Sequence, residues 1–188
     1  ESGDACAAYW DLGWTWSKPA IARIGIYALD GGGNVVPDDA YIAFFGGGWD
    51  ASSDPTTPAG SDLTGNYFYA VDIETGATVV KELIDSGTSV PGSPAVLDSD
   101  NDGFHDKVYF GDTNGAVWRY QLPSPYVDFL AAGYSSVYDA ATLQRIFDVS
   151  GTIATRQQFF VQPTLVPVLF NGSNYTYAVV MGAGDRAN

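Results

Sequence analysis

One unit, met three times, limits what this chain can fold into: a proline opens a short apolar run, and a later strand-like run ends on glycine. The openings are Pro19-Ala20-Ile21-Ala22, Pro94-Ala95-Val96-Leu97 and Pro163-Thr164-Leu165-Val166. The closing runs are Tyr41-Ile42-Ala43-Phe44-Phe45-Gly46, Val108-Tyr109-Phe110-Gly111 and Ala178-Val179-Val180-Met181-Gly182. Proline has no N–H to give to a sheet ladder, so it can begin a strand but cannot sit inside a central one. A repeated unit of this kind cannot bury its apolar face alone and must stack on its neighbours.

Two of the units continue alike. Gly65-Asn66-Tyr67-Phe68-Tyr69-Ala70-Val71-Asp72 matches Gly115-Ala116-Val117-Trp118-Arg119-Tyr120-Gln121-Leu122 in its alternation, one face apolar and the other mixed. The links between runs are turn chemistry: Asp112-Thr113-Asn114-Gly115 joins two strands, and Glu74-Thr75-Gly76 joins the next pair before Ala77 to Leu83. Each unit therefore reads as a small antiparallel meander, and meanders stacked radially are propeller blades.

The expected class is all-β: a β-propeller, with residues 1–188 forming one propeller-type domain or a fragment of one. Units start near 19, 94 and 163, giving two whole blades and the first half of a third. The prolines lie 75 and 69 residues apart, longer than the roughly 40 to 50 of common blades, so loops are inserted. One is Asp50 to Gly60; residues 123 to 160 hold another, in which Val137 to Ile146 reads as a short helix. Propellers close with about four to eight blades, so the set is incomplete and the chain reads as part of a larger protein. A lone sandwich of similar strands is the alternative.

Composition agrees. Val, Ile, Tyr and Phe fill the runs between glycines and prolines, and 46% hydrophobic against 16% charged residues is enough apolar surface for a packed core. With 8 Lys and Arg against 22 Asp and Glu, the net charge of −14 repels nucleic acid and anionic membranes and suits cations. No run of apolar residues is long enough to insert in a membrane. The single cysteine, Cys6, permits no disulfide within the chain and no thiolate metal cluster. The expectation is a mature or excised soluble piece of an exported protein.

The most specific motif is Asp98-Ser99-Asp100-Asn101-Asp102-Gly103-Phe104-His105-Asp106. Calcium takes about six to eight oxygens, and alternate carboxylates in a tight loop supply them. Asp98, Asp100 and Asp102 stand at positions one, three and five. Gly103 follows where a sharp turn requires a positive φ, Phe104 offers its carbonyl, and Asp106 closes the set. Position twelve is Tyr109 rather than the bidentate glutamate of an EF-hand, and strand-like sequence starts at Lys107, so the loop links two strands. The expected metal ligands are Asp98, Asp100, Asp102, Phe104 and Asp106, and the expected cofactor is Ca2+. Mg2+ is disfavoured by so many protein oxygens.

Catalytic constellations do not assemble. The only histidine, His105, lies inside this loop and reads as solvent-facing, which leaves no base for a Ser or Cys nucleophile. Gly31-Gly32-Gly33 and Gly46-Gly47-Gly48 lack the lysine and helix of a phosphate loop. Asn171-Gly172-Ser173 and Asn174-Tyr175-Thr176 mark an exposed turn. Trp10, Trp14, Trp16 and Trp49 read as core, the alternative being a carbohydrate-binding surface. The expectation is no enzyme and no catalytic residue.

Taken together, Trp16-Ser17-Lys18-Pro19-Ala20-Ile21, Phe44-Phe45-Gly46-Gly47-Gly48-Trp49-Asp50, Tyr69-Ala70-Val71-Asp72-Ile73-Glu74-Thr75-Gly76, the nine-residue loop and Tyr109-Phe110-Gly111-Asp112-Thr113-Asn114-Gly115-Ala116-Val117-Trp118-Arg119-Tyr120 resemble the C-terminal domain of PilY proteins. The resemblance spans roughly residues 14 to 186. It implies a modified, quinoprotein-like β-propeller at the bacterial cell surface or pilus tip, extracellular, whose calcium regulates type IV pilus extension, retraction and adhesion. It places the metal on Asp98, Asp100, Asp102, the Phe104 carbonyl and Asp106, and implies as partners minor pilins or a surface receptor. Two other propeller classes share features. An integrin-like cell-surface module would carry such a loop on several blades. Quinoprotein dehydrogenases share the Val71 to Gly76 pattern but commonly hold a vicinal cysteine pair that Cys6 cannot form.

Overall fold

The computed structural model describes residues 9–50, 64–123, 125, 136–149, 157–170 and 174–184. Among them every regular element is a β-strand. The first sheet is a four-stranded antiparallel meander of β1 (Ala20–Leu29), β2 (Val35–Gly46), β3 (Tyr67–Asp72) and β4 (Thr78–Leu83). The second repeats that order with β5 (Ala95–Leu97), β6 (Lys107–Gly111), β7 (Ala116–Gln121) and β8 (Thr142–Asp148). A two-stranded hairpin follows, β9 (Thr164–Phe170) with β10 (Asn174–Val180). Strands β1, β5 and β9 each begin one residue after Pro19, Pro94 and Pro163. Most of Asp50 to Gly60, together with Cys6 and residues 171–173, lies outside the described residues.

The helix expected over Val137 to Ile146 is absent. Residues 136–140 form turns, with the Ala140 amide donating to the Ser136 carbonyl at 3.2 Å, and Thr142–Asp148 is strand β8, with Leu143 opposite Tyr120 and Phe147 opposite Val117. Without β8 the edge of β7 would leave its N–H and C=O groups unpaired. The β-branched and aromatic Thr142, Ile146 and Phe147 fit that pleated edge better than a helix.

Alternation decides which face each strand buries. On β2 it buries Ala40, Ile42 and Phe44, while Tyr41 on the opposite face is exposed. With Phe68 and Ala70 of β3, these side chains meet Val108, Phe110 and Tyr120 from the second sheet in one core cluster. At the contact three rings lie nearly parallel. Phe68 stacks on Phe44 at 5.8 Å and 8°, and on Phe110 at 4.5 Å and 8°. Phe68 is fully buried and bridges one sheet to the next.

Glycine closes β2 and β6 because another segment crosses there at backbone distance. A Cβ on Gly46 would lie 2.1 Å from the Val90 carbonyl oxygen, and one on Gly111 would lie 2.6 Å from the Phe159 Cβ. The segments before Pro94 and Pro163 are thus laid against the strand ends of the sheet before them. The β6–β7 turn is held by Asp112, whose buried carboxylate accepts from Trp118 Nε1 at 2.8 Å, the Asn114 amide at 2.8 Å and the Ala116 amide at 2.9 Å. Burial pushes its pKa up to about 6, against those three hydrogen bonds, which pull it down.

Residues 9–14 run as a strap over the first sheet. Asp11 is fully buried, pairs with Lys81 Nζ at 2.7 Å and accepts from the Tyr69 hydroxyl at 2.5 Å. Trp14 exchanges backbone hydrogen bonds with Trp49. Because this strap lies outside the sheets, Trp10, Trp14 and Trp16 are exposed rather than core.

Two outcomes are expected. Phe68→Ala removes the ring between two sheets and costs about 3–5 kcal/mol, read as a lowered urea midpoint; a loss under about 1 kcal/mol would mean that the interface does not depend on it. Between about pH 4 and 6 the folded chain keeps on Asp112 a proton that the unfolded chain releases, so the group's contribution to stability falls as pH rises through that window. The stability of the parent relative to Asp112→Asn should therefore drop between about pH 4.5 and about pH 7 in urea denaturation. A constant difference would refute the raised pKa.

Candidate metal site

Leu97 at the end of β5 pairs with Lys107 at the start of β6, so residues 98–106 are the hairpin loop between two neighbouring strands. Ladder bonds pin its base: the Asp106 amide donates to the Leu97 carbonyl, and the Leu122 amide to the Asp106 carbonyl, both at 2.9 Å. Inside the loop Asp98 acts as a local organiser. Its two oxygens accept from the Asp102 amide at 3.2 Å and the Gly103 amide at 2.9 Å. Asp102 in turn accepts from the Phe104 amide at 2.8 Å. Asn101 and Gly103 adopt positive φ angles of 61° and 93°, a backbone region that glycine enters without penalty and asparagine more readily than most residues.

This winding brings carboxylate oxygens of Asp98, Asp100 and Asp102 within 4.8 Å of one another. Asp98 is half-buried, and the other two are exposed. Asp106 stands apart from that group. Its carboxylate accepts from the Ser99 amide at 2.8 Å, the Ser99 hydroxyl at 2.5 Å and Lys107 Nζ at 2.9 Å. Burial raises its pKa, but the bonds from Ser99 and Lys107 outweigh that effect and leave it below the usual carboxylate range. The donor set suits a hard cation: three converging carboxylates and no thiolate among them.

His105 departs from the expected solvent-facing placement. Its amide donates to the Arg23 carbonyl of β1 at 2.9 Å, and its Nδ1 is buried without a hydrogen-bond partner among the described residues. Phe104 has a part that the sequence reading missed. Its ring is buried under the Arg23 guanidinium, whose Cζ lies 4.4 Å from the ring centroid, and Arg23 Nε is held by Asp39 at 2.7 Å. One apolar ring in an otherwise polar loop was the available signal. It docks the loop onto the first sheet, so the carboxylates are positioned by two sheets rather than one.

Two four-stranded antiparallel meanders packed through a shared core, followed by a two-stranded hairpin, make up the described all-β fold, and its class is a β-propeller domain. A family model described as the PilY1 β-propeller domain matches residues 3–148, and the chain belongs to that family. Among curated relatives, the type IV pilus biogenesis factor PilY1 of Pseudomonas aeruginosa strain PAO1 is 30% identical over 115 residues, which cover 60% of this chain and 8% of the relative. The same factor from strain UCBPP-PA14 is 25% identical over 193 residues, covering 93% of this chain and 14% of the relative. The crystal structure of the Pseudomonas aeruginosa PilY1 C-terminal domain superposes with a TM-score of 0.59 at 22% identity, covering 93% of this chain and 33% of that one. The chain therefore spans a small part of the length of these relatives.

Phe104→Ala should cost roughly 3 kcal/mol by removing a buried ring, and it should loosen the loop specifically. Hydrogen exchange at the amides of 99–106 is expected to accelerate more than exchange in β7. Uniform acceleration would instead mean that the ring supports the whole sheet.

Proposed function

We propose that this chain is a calcium-binding propeller module of a type IV pilus-associated surface protein. The observation that carries the reading is the convergence of Asp98, Asp100 and Asp102 within 4.8 Å on a loop closing two strands. Asp98, Asp100, Asp102 and the Phe104 carbonyl hold the ion. Asp106 joins them by turning from Ser99 and Lys107. Calcium there neutralises carboxylates that otherwise repel one another and ties the loop to the Phe104 anchor, so binding is coupled to local order.

In this reading each four-stranded sheet is one blade, and the β9–β10 hairpin is the first half of a third. The module works as a binding and regulatory element rather than an enzyme. It acts at the bacterial surface or pilus tip, with minor pilins or a surface receptor as its partners, and calcium occupancy regulates pilus extension, retraction and attachment. Family membership supports the pilus setting. An integrin-like module is less well supported, because one such carboxylate cluster forms among the described residues rather than one per blade.

Thermal unfolding with calcium and with chelator tests the reading. At calcium about 100 times its Kd the native state gains about 2.7 kcal/mol, so the Tm should rise. Asp102→Ala should abolish the rise and keep the sheet signal in circular dichroism. An unchanged Tm in the parent chain would refute calcium binding, and an equal rise with magnesium would refute selectivity.

A further inference from the structure

The two stacked interfaces are built from matching positions with different chemistry. Gly46 pairs with Phe68 in the first sheet as Gly111 pairs with Val117 in the second, so the registers align strand for strand. Towards the second sheet, the first presents Ile42, Phe44 and Ala70, all fully buried. At the equivalent positions the second sheet carries Lys107, Tyr109 and Arg119, with Tyr109 directly opposite Arg119 in the ladder. Two apolar positions of a sheet-to-sheet interface have become cations in a chain with only 8 basic residues and a net charge of −14.

Where those side chains face β10 the interface does not close. A cavity of about 410 Å3 is lined by Lys107, Arg119 and Tyr109 from the second sheet, Ser99 from the loop, and Thr176 and Tyr177 from β10. Ile146 and Val179 supply an apolar wall, and among the described residues no carboxylate lines it. Arg119 donates one Nη2 bond to Gln144 Oε1 at 2.7 Å, while its Nε is buried without an acceptor among the described residues. A buried guanidinium N–H without a partner is costly, and such groups are almost always satisfied by protein, water or ligand. Lys107 reaches Asp106 at 2.9 Å and also Ser99 on the cavity's loop side. Counting Asp106 beside the two cations, the local charge is positive.

We infer that this cavity binds a small ligand carrying one carboxylate and several hydroxyls, the chemistry of a uronic acid. A planar carboxylate matches the Nη1 and Nη2 end of Arg119, of which one N–H serves Gln144, since guanidinium and carboxylate pair through parallel N–H···O bonds. The hydroxyls of Tyr109, Thr176 and Tyr177 can each donate and accept, as a polyhydroxylated ring requires. The volume lies in the usual range of small-ligand sites. The cavity shares Lys107 and Ser99 with the bonds that hold Asp106, but Arg119 and the β10 residues take no part in the carboxylate cluster, so Arg119 is the position that separates the two sites.

Isothermal titration of the full chain with glucuronate, glucose, acetate and inorganic phosphate tests the inference. Glucuronate should bind at least about tenfold more tightly than glucose or acetate, and Arg119→Gln should weaken it by about 10- to 100-fold, the range for losing a charged hydrogen bond. The calcium-induced Tm rise of that variant should match the parent's, which separates this site from the metal loop. Should Arg119→Gln fail to fold, Arg119→Lys, which keeps the charge and loses the fork, carries the same test, with at least about a tenfold loss expected. Equal or undetectable binding of glucuronate and glucose would overturn the proposal and leave a water-filled interface. Phosphate binding as tightly as glucuronate would overturn the carboxylate assignment, and unchanged affinity in the variants would overturn the site.

Discussion

Everything else in the described structure hangs on the ring contact that joins the first two sheets. A four-stranded meander has two faces and can leave one in water, but Phe44, Phe68, Val108 and Phe110 are too apolar to be left there. Stacking Phe68 between Phe44 and Phe110 buries both faces at once and fixes the relative placement of the sheets. The site inherits that placement, because Phe104 on the second sheet's loop rests on Arg23 of the first. A loop held only by its own hairpin would bring its carboxylates together less often.

The acidic loop and the cavity are both built on the short β5–β6 strand pair. Lys107 and Ser99 line the cavity and also hold Asp106. The Asp98, Asp100 and Asp102 cluster, with two of its three members exposed, is local in sequence. The cavity is non-local, drawing on β6, β7 and β10, and exists only because two sheets leave it open. Sequence motifs favour the first kind of site and miss the second.

Several elements could be read directly from residue order. Proline followed by an apolar run marked the first strand of each sheet, and the Asn-Gly and Thr-Gly pairs marked the turns that join β6 to β7 and β3 to β4. These are local signals, since proline's missing N–H and glycine's access to positive φ act within a few residues. Strand β8 was misread as a helix because Val137 to Ile146 has no decisive period, and what decided it was the unpaired edge of β7. The tryptophans were misread because apolarity was equated with burial, whereas the strap that bears Trp10 and Trp14 lies outside the sheets.

By itself the sequence determined the all-β class, the start of each sheet, and the loop in which aspartates alternate ahead of a glycine, because each follows from backbone chemistry over fewer than about ten residues. The tertiary structure alone decided that Asp106 faces Ser99 and Lys107, that Phe104 is an anchor, and that Arg119 lines a cavity between two sheets. Those outcomes depend on which surfaces meet across the stack, and residues far apart in the chain settle that through packing rather than through any local pattern.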